Sequence, residues 1–221
     1  MKVILFGASG MVGQGVLREC LLDPGVKRVL SVVRRPTGQQ DPKLEELVRQ
    51  DFLDYSPIEA QLSGYDACFF CLGITSAGMA EAAYRHITYD ITLAAARTLS
   101  RLNPGMTFVY VSGMGTDSSE KGRLMWARVK GETENALQRL PFRAVYLFRP
   151  AMIVPENGIR SKTVLYQFFY SALAPLLPLL RNASPKYITT TSRIGRAMLR
   201  VARGGAPHPV LENADIDALG R

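Results

Sequence analysis

Seven residues, Gly7-Ala8-Ser9-Gly10-Met11-Val12-Gly13, stand between a short apolar run, Lys2–Phe6, and a segment with helical spacing. Their types suit the binding of a phosphate. Gly7 permits a sharp turn, Gly10 removes a Cβ where backbone must approach a pyrophosphate, and Gly13 lets a helix pack closely on a strand. The helix N-terminus then offers free N–H groups and the positive end of its dipole. Ser9, Met11 and Val12 complete the turn and join Gly7 and Gly10 as candidate dinucleotide contacts. A glycine pattern alone is weak evidence, but between the first strand and helix of a βαβ unit it is specific.

The end of the second apolar run is where a ribose 2′-hydroxyl usually meets an acidic side chain. Here the chain has Arg34-Arg35, with no acid until Asp41. Guanidinium forks suit a 2′-phosphate, so these residues favour NADP(H) over NAD(H). Other chemistry finds little support. His86 and His208 are far apart and lack partners at ligand spacing, so no metal site is expected. A Ser–His–acid hydrolase needs a G-x-S-x-G elbow, and none occurs. Cys68 and Cys71 have redox-motif spacing but fall in an apolar run, where i and i+3 point to opposite faces of a strand.

The positioning elements follow from the hydrophobic pattern. Lys2–Phe6, Val29–Val33, Ala67–Leu72, Thr107–Val111 and Ala144–Phe148 read as buried strands, with a further strand edge at Asp51-Phe52. Helical spacing spans Gly13–Leu22, Ala80–Leu102, Lys121–Leu140 and Ile194–Val201. Strands alternating with helices predict an α/β fold, a single-domain Rossmann-type doubly wound parallel sheet over residues 1–221. A small helical C-terminal segment, 155–190, is expected to act as a substrate or lid insertion. Within it, 163–180 is an uncharged run broken by Pro175 and Pro178. Three readings of that run stay open: a core or lid helix, an interfacial membrane helix or partner surface, and a membrane span.

The 221 residues carry 27 Lys+Arg against 19 Asp+Glu, a formal charge of +8. No acidic residue lies between Glu156 and Glu212, and Arg160, Lys162, Arg181, Lys186, Arg193, Arg196, Arg200 and Arg203 in that stretch account for the excess. Protein or membrane-surface contact through 160–203 is therefore one expectation. Nucleic acid is not, because the distal aromatic residues sit in the uncharged run instead of alternating with Lys or Arg. Hydrophobic residues at 47% exclude general disorder. Three cysteines and a strand beginning directly after Met1 suggest a reduced, cytoplasmic protein.

With these residues in view, the chain resembles the extended and atypical short-chain dehydrogenase/reductases. Within them it is most similar to small NAD(P)H-binding proteins of the HIV Tat-interacting-protein type. The matching stretches are Gly7–Gly13, Arg34-Arg35, Asp51-Phe52, Cys71-Leu72-Gly73, Tyr89-Asp90, Val111-Ser112-Gly113, Val129-Lys130-Gly131-Glu132 and Phe148-Arg149-Pro150. The resemblance implies that Asp51 and Phe52 border the adenine and that Cys71, Leu72 and Gly73 run beneath its ribose. It further implies that Pro150, Ala151 and Ile153 pass the nicotinamide amide.

The same resemblance implies a catalytic Ser, Tyr and Lys, with Tyr four residues before Lys on one helix face. Ser112 and Lys130 are in place, but the tyrosine position holds Trp126. An indole N–H donates a hydrogen bond and cannot relay a proton. Tyr84, Tyr89 and Asp90 are the residues that could stand in as acid. Two functions are therefore expected to compete: an NADP(H)-dependent oxidoreductase with atypical catalysis, and a non-catalytic NADP(H)-sensing regulatory or interaction protein.

Overall fold

The computed structural model describes residues 1–159 and 186–221. The run 163–180 and most of the 155–190 segment, with Arg160, Lys162 and Arg181, lie outside the described residues.

β-branched and aromatic side chains bounded by turns form the strands, as the pattern dictates. In chain order these are β1 (Lys2–Phe6), β2 (Arg28–Val33), β3 (Leu44–Val48), β4 (Ala67–Phe70), β5 (Thr107–Val111) and β6 (Ala144–Arg149). Two short strands, β7 (Met152–Val154) and β8 (Ile188–Thr190), pair with each other, and β9 (Val210–Glu212) joins the main sheet. The main sheet has seven strands in the order β3-β2-β1-β4-β5-β6-β9, all parallel. The chain winds outward from β1 to β3, then returns to β4 and winds the other way. β1 and β4 thus straddle the point where the strand order reverses, and ligands of open α/β sheets bind outside the carboxyl ends of such strands.

Alternation sends side chains to two cores. Val3, Leu5, Ala67, Phe69 and Val109 pack beneath helices α1 (Met11–Leu22) and α5 (Thr191–Gly204). Ile4, Phe6, Cys68, Phe70 and Phe108 pack on the other face beneath α3 (Ile91–Leu102) and Leu137 of α4 (Met125–Gln138). Cys68 and Cys71 fall on opposite faces, as the strand geometry requires: Cys68 lies in the second core and Cys71 against the first.

The helical stretch expected over Ala80–Leu102 is divided into α2 (Glu81–Arg85), a π-helical turn at His86–Asp90, and α3. The helix expected from Lys121 starts only at Met125, because Asp117 ties the preceding residues into a turn. Its carboxylate accepts from Ser119 N–H at 3.0 Å and from Gly122 N–H at 2.6 Å. Beyond the expected elements, β9 runs into a seven-residue helix, α6 (Asn213–Leu219). α1 and α5 approach closely in two places where one helix presents a glycine to a side chain of the other. A Cβ on Gly15 would stand 2.5 Å from Thr191 Cβ, and one on Gly195 would stand 2.8 Å from Glu19 Cγ.

Candidate cofactor and catalytic site

Two depressions open at the carboxyl edge of the sheet, one on each side of the glycine turn. The turn is shaped by backbone against backbone. Gly7 has φ +81°, which disfavours any L side chain, and a Cβ there would lie 2.6 Å from the Leu72 nitrogen. A Cβ on Gly13 would lie 2.0 Å from the Gly7 carbonyl oxygen. These contacts draw the end of β1, the first turn of α1 and the segment after β4 together. Gly10 caps α1 with extended backbone, and the first turn of α1 holds no acidic residue to cancel its positive end.

The smaller depression, about 760 Å³, is bordered by Ser9, Gln14, Arg34, Arg35, Thr37 and Gln50. Gln50 Nε2 donates to the Arg34 carbonyl at 2.9 Å and so fixes the backbone there. Both guanidiniums lie exposed and make no ion pair among the described residues. Asp51 and Phe52 line neither depression. Phe52 is buried edge-on against Phe6, with ring centroids 6.3 Å apart, while exposed Asp51 accepts from Leu53 N–H at 2.7 Å.

The larger cleft, about 1120 Å³, brings together Gly10, Met11, Val12, Cys71, Leu72 and Gly73 with Ser112, Trp126, Lys130, Pro150, Ala151 and Ile153. Trp126, Lys130 and Glu134 recur every four residues along α4 and so share a face. Gly115 lies against the indole, since a Cβ there would be 3.5 Å from Trp126 Cη2. Lys130 Nζ donates to the Ser112 carbonyl.

Withdrawal from water pushes the Lys130 ammonium down to about 8, against a nearby Glu134 that pulls the other way. Between pH 8 and its ordinary 10.5, the unfolded chain still holds a proton that the native protein has released. This group therefore makes the fold more stable as pH rises through that window, and least stable below it. In protein with carbon-labelled lysine, one side-chain resonance should titrate near pH 8. A set of lysines that all titrate at their ordinary value would contradict this placement.

Ser112 is buried, and its hydroxyl donates to Glu134 Oε1 at 2.5 Å, with the Phe148 carbonyl 3.2 Å away. Glu134 is only 1% exposed and faces Arg149 of β6, 12% exposed. Arg149 Nε donates to Oε1 at 3.1 Å, Nη2 donates to Oε2, and Nη2 also reaches Ser118 Oγ at 2.6 Å. Hydrogen bonds of this kind between charged groups are the strong ones. Sequence reasoning assigned no role to Glu134 or Arg149. The signal available was the position of Glu134, four residues beyond Lys130 on one helix face.

Of Tyr84, Tyr89 and Asp90, only Tyr84 borders the cleft; it is buried, and burial pushes its ionisation up. Tyr89 lies under the Arg85 guanidinium at 4.2 Å, and Asp90 accepts from Arg85 at 3.0 Å and sits 3.2 Å from His86 Nδ1. Neither lines the cleft. The outer wall adds Ile74, Met114, Met152 and Tyr187, which the sequence did not single out. Several distal arginines are engaged within the fold. Arg193 pairs with buried Asp217, Arg196 and Arg200 donate to carbonyls at Gly220 and Leu219, and Arg203 pairs with Asp23.

A sequence model of NAD(P)H-binding proteins matches residues 7–140, from the glycine turn through α4. The chain belongs to this NAD(P)H-binding family. Among its relatives is "Protein fmp52-2, mitochondrial" of Aspergillus oryzae, 28% identical over 98% of this chain and 96% of that protein. Another is "Protein HTATIP2" of Rattus norvegicus, 26% identical over the whole chain and 89% of that protein. The resemblance to atypical short-chain dehydrogenase/reductases of this type therefore holds. The cytoplasmic expectation does not, because fmp52 relatives from Aspergillus oryzae and Candida albicans are named mitochondrial. Cysteine usage and an early first strand were too indirect to place the protein in a compartment.

Solved structures bear out the Rossmann-type fold. MoeE5 in complex with UDP-glucose and NAD superimposes with a TM-score of 0.68 at 15% identity, over 100% of this chain and 81% of that one. The Bordetella bronchiseptica enzyme WbmF in complex with NAD+ gives 0.67 at 16% identity, over 98% and 76%.

Proposed function

We propose that the protein binds NADP(H) in preference to NAD(H) and works as an oxidoreductase with Trp126 in the place of the family's tyrosine acid. The observation that carries this reading is the pair of exposed guanidiniums, Arg34 and Arg35, which have no ion-pair partner among the described residues and lie beside Ser9 on one side of the glycine turn. A cradle that a single Cβ at Gly7 or Gly13 would fill, open to a helix N-terminus, fits a dinucleotide. In this reading the backbone at Gly7, Ser9, Gly10, Met11 and Val12 holds the pyrophosphate, and Arg34 and Arg35 hold a 2′-phosphate. Cys71, Leu72 and Gly73 lie beneath a ribose, Lys130 holds the nicotinamide ribose, and Pro150 and Ile153 border the nicotinamide. When bound, the nicotinamide supplies or accepts hydride. The UDP-glucose of MoeE5 is not carried over to this chain. Among the described residues lining the larger cleft, Lys130 is the one charged side chain, which is little to hold a second pyrophosphate.

Titration with NADPH and NADH tests the reading, followed by energy transfer from Trp126, the chain's single tryptophan. Transfer should appear at lower concentration with NADPH. Replacing Arg34 and Arg35 together by Ala should weaken NADPH about 10- to 100-fold, since hydrogen bonds to charged groups contribute about 1.5–3 kcal/mol. NADH should change little. Equal affinities in the unaltered protein would sink the preference for NADP(H).

A second reading, a non-catalytic NADP(H) sensor, draws on the Ser112 hydroxyl, whose one hydrogen is given to Glu134. In that case residues 160–203 would carry the signal to a protein or membrane partner.

A further inference from the structure

The wall of the larger cleft that Pro150 and Ala151 form begins where the last ladder of the sheet stops. β6 and β9 run parallel as far as Arg149 opposite Glu212, and both strands then leave the sheet, one into Pro150-Ala151 and the other into α6. Proline has no N–H with which to continue the ladder. The next donor is taken by a side chain instead: Ala151 N–H donates to Asn213 Oδ1 at 2.9 Å. At the other end of the same peptide group, the Pro150 carbonyl accepts from Met114 N–H at 2.9 Å. The Pro150–Ala151 peptide is thus held at both of its polar atoms, by the segment after β5 and by the first residue of α6. Asn213 is buried, and its helix is anchored on three sides. Glu212 closes a capping box with Asp215, Arg149 reaches Glu212 at 3.4 Å, and buried Asp217 pairs with Arg193 of α5. All of α6 lies beyond residue 140, where the match to the family model ends.

We infer that Asn213 is a positioning residue for the cleft: its side-chain oxygen, delivered by α6, fixes the orientation of the Pro150–Ala151 peptide. With that peptide it fixes the wall along which the nicotinamide is proposed to lie. The inference rests on the cofactor reading only for what occupies the wall. A peptide tied at one end can turn about the bonds that flank it, and a ligand would have to order it on binding. Tying it at both ends removes that cost in advance. The effect is local to the nicotinamide half, since Arg34 and Arg35 border the other depression.

Amide hydrogen exchange of the cofactor-free full chain is the first test. In the unaltered protein the Ala151 and Met114 amides are expected to exchange at least about tenfold more slowly than open peptide. Asn213→Ala should speed both about fivefold or more relative to the Ser112 amide, which donates to the Phe148 carbonyl and not to this peptide. Asn213→Asp keeps an oxygen toward Ala151 and should restore the slow exchange. Ile216→Val, a comparable loss in the core of the same helix, should not raise either amide relative to Ser112. Calorimetry then compares NADPH with 2′-phospho-ADP-ribose, which has no nicotinamide. Asn213→Ala should weaken NADPH about fivefold and leave 2′-phospho-ADP-ribose unchanged. The inference is overturned by an unprotected Ala151 amide in the unaltered protein or by exchange that Asn213→Ala leaves as it was. A folded Asn213→Asp that behaves like Asn213→Ala, or equal weakening of the two ligands, overturns it as well. If Asn213→Asp does not fold, the contrast between Asn213→Ala and Ile216→Val decides. Failure of both ligands to bind the unaltered protein would sink the cofactor reading alone, because exchange is read without them.

Discussion

Trp126→Tyr is expected to raise the rate of NADPH-dependent benzaldehyde reduction by about 10²–10⁴-fold, the usual contribution of a positioned acid or base. The position lies one helical turn before Lys130, and both side chains border the cleft. A phenol there would feel the Lys130 ammonium, which favours its ionised form and makes it a better acid. Tyrosine is smaller than tryptophan, so it enters without displacing Gly115. Because Ser112 still gives its hydrogen to Glu134, the gain should fall in the lower part of the range. NADPH's own fluorescence verifies binding once the tryptophan is gone. If the variant binds NADPH and benzaldehyde reduction stays at the unaltered protein's rate, the sensor reading gains and the oxidoreductase reading falls.

Glu134→Ala should remove about 3–5 kcal/mol of stability, the typical result of stripping one partner from a buried ion pair. Glu134 is 1% exposed and Arg149 12%, so the guanidinium left behind has little water to turn to. The Ser112 hydroxyl loses its acceptor in the same step. Urea unfolding measures the loss. Replacing Arg149 by Met in the same chain should restore part of it, because no buried charge then lacks a partner; Glu212, which Arg149 also reaches at 3.4 Å, is half-exposed to water. A second readout separates this from general damage. Glu134 holds the Lys130 ammonium up, so its removal should push the Lys130 titration lower still, whereas a distant destabilising substitution should not. A loss under about 1 kcal/mol would mean that solvent reaches the pair.

The glycine turn was legible because backbone requirements write themselves into residue type: Gly7 and Gly13 tolerate no Cβ. The strands were legible for a similar reason, since a sheet buried on both faces needs unbroken apolar runs. Strand order was not, because it is set by crossovers and long-range pairing. Three-residue β9 and seven-residue α6 give periodicity too little length to register, yet Asn213 accepts from Ala151 N–H at 2.9 Å beside the cleft. The contacts of Arg193, Arg196, Arg200 and Arg203 were illegible for a related reason. Their partners are the α6 residue Asp217, main-chain carbonyls, and Asp23 at the far end of the sequence. A count of charges cannot see a carboxylate that folding brings from 180 residues away. Phe52 packs into the aromatic core around Phe6, a placement that the Asp51-Phe52 motif did not announce.

The close approach of α1 and α5 has a bearing on how such a chain can drift. Gly15 presses on Thr191, and Gly195 presses on Glu19 and Val16, with no gap for one more methyl group at either point. α1 opens at the glycine turn, and α5 follows directly from β8, whose Ile188 borders the larger cleft together with neighbouring Tyr187. A mutation that enlarges either glycine is accepted only if the opposite helix yields volume in step. A displacement of α5 is therefore passed on to α1 instead of being absorbed between them, so the β8 wall of the cleft and the helix that opens at the glycine turn move as one piece.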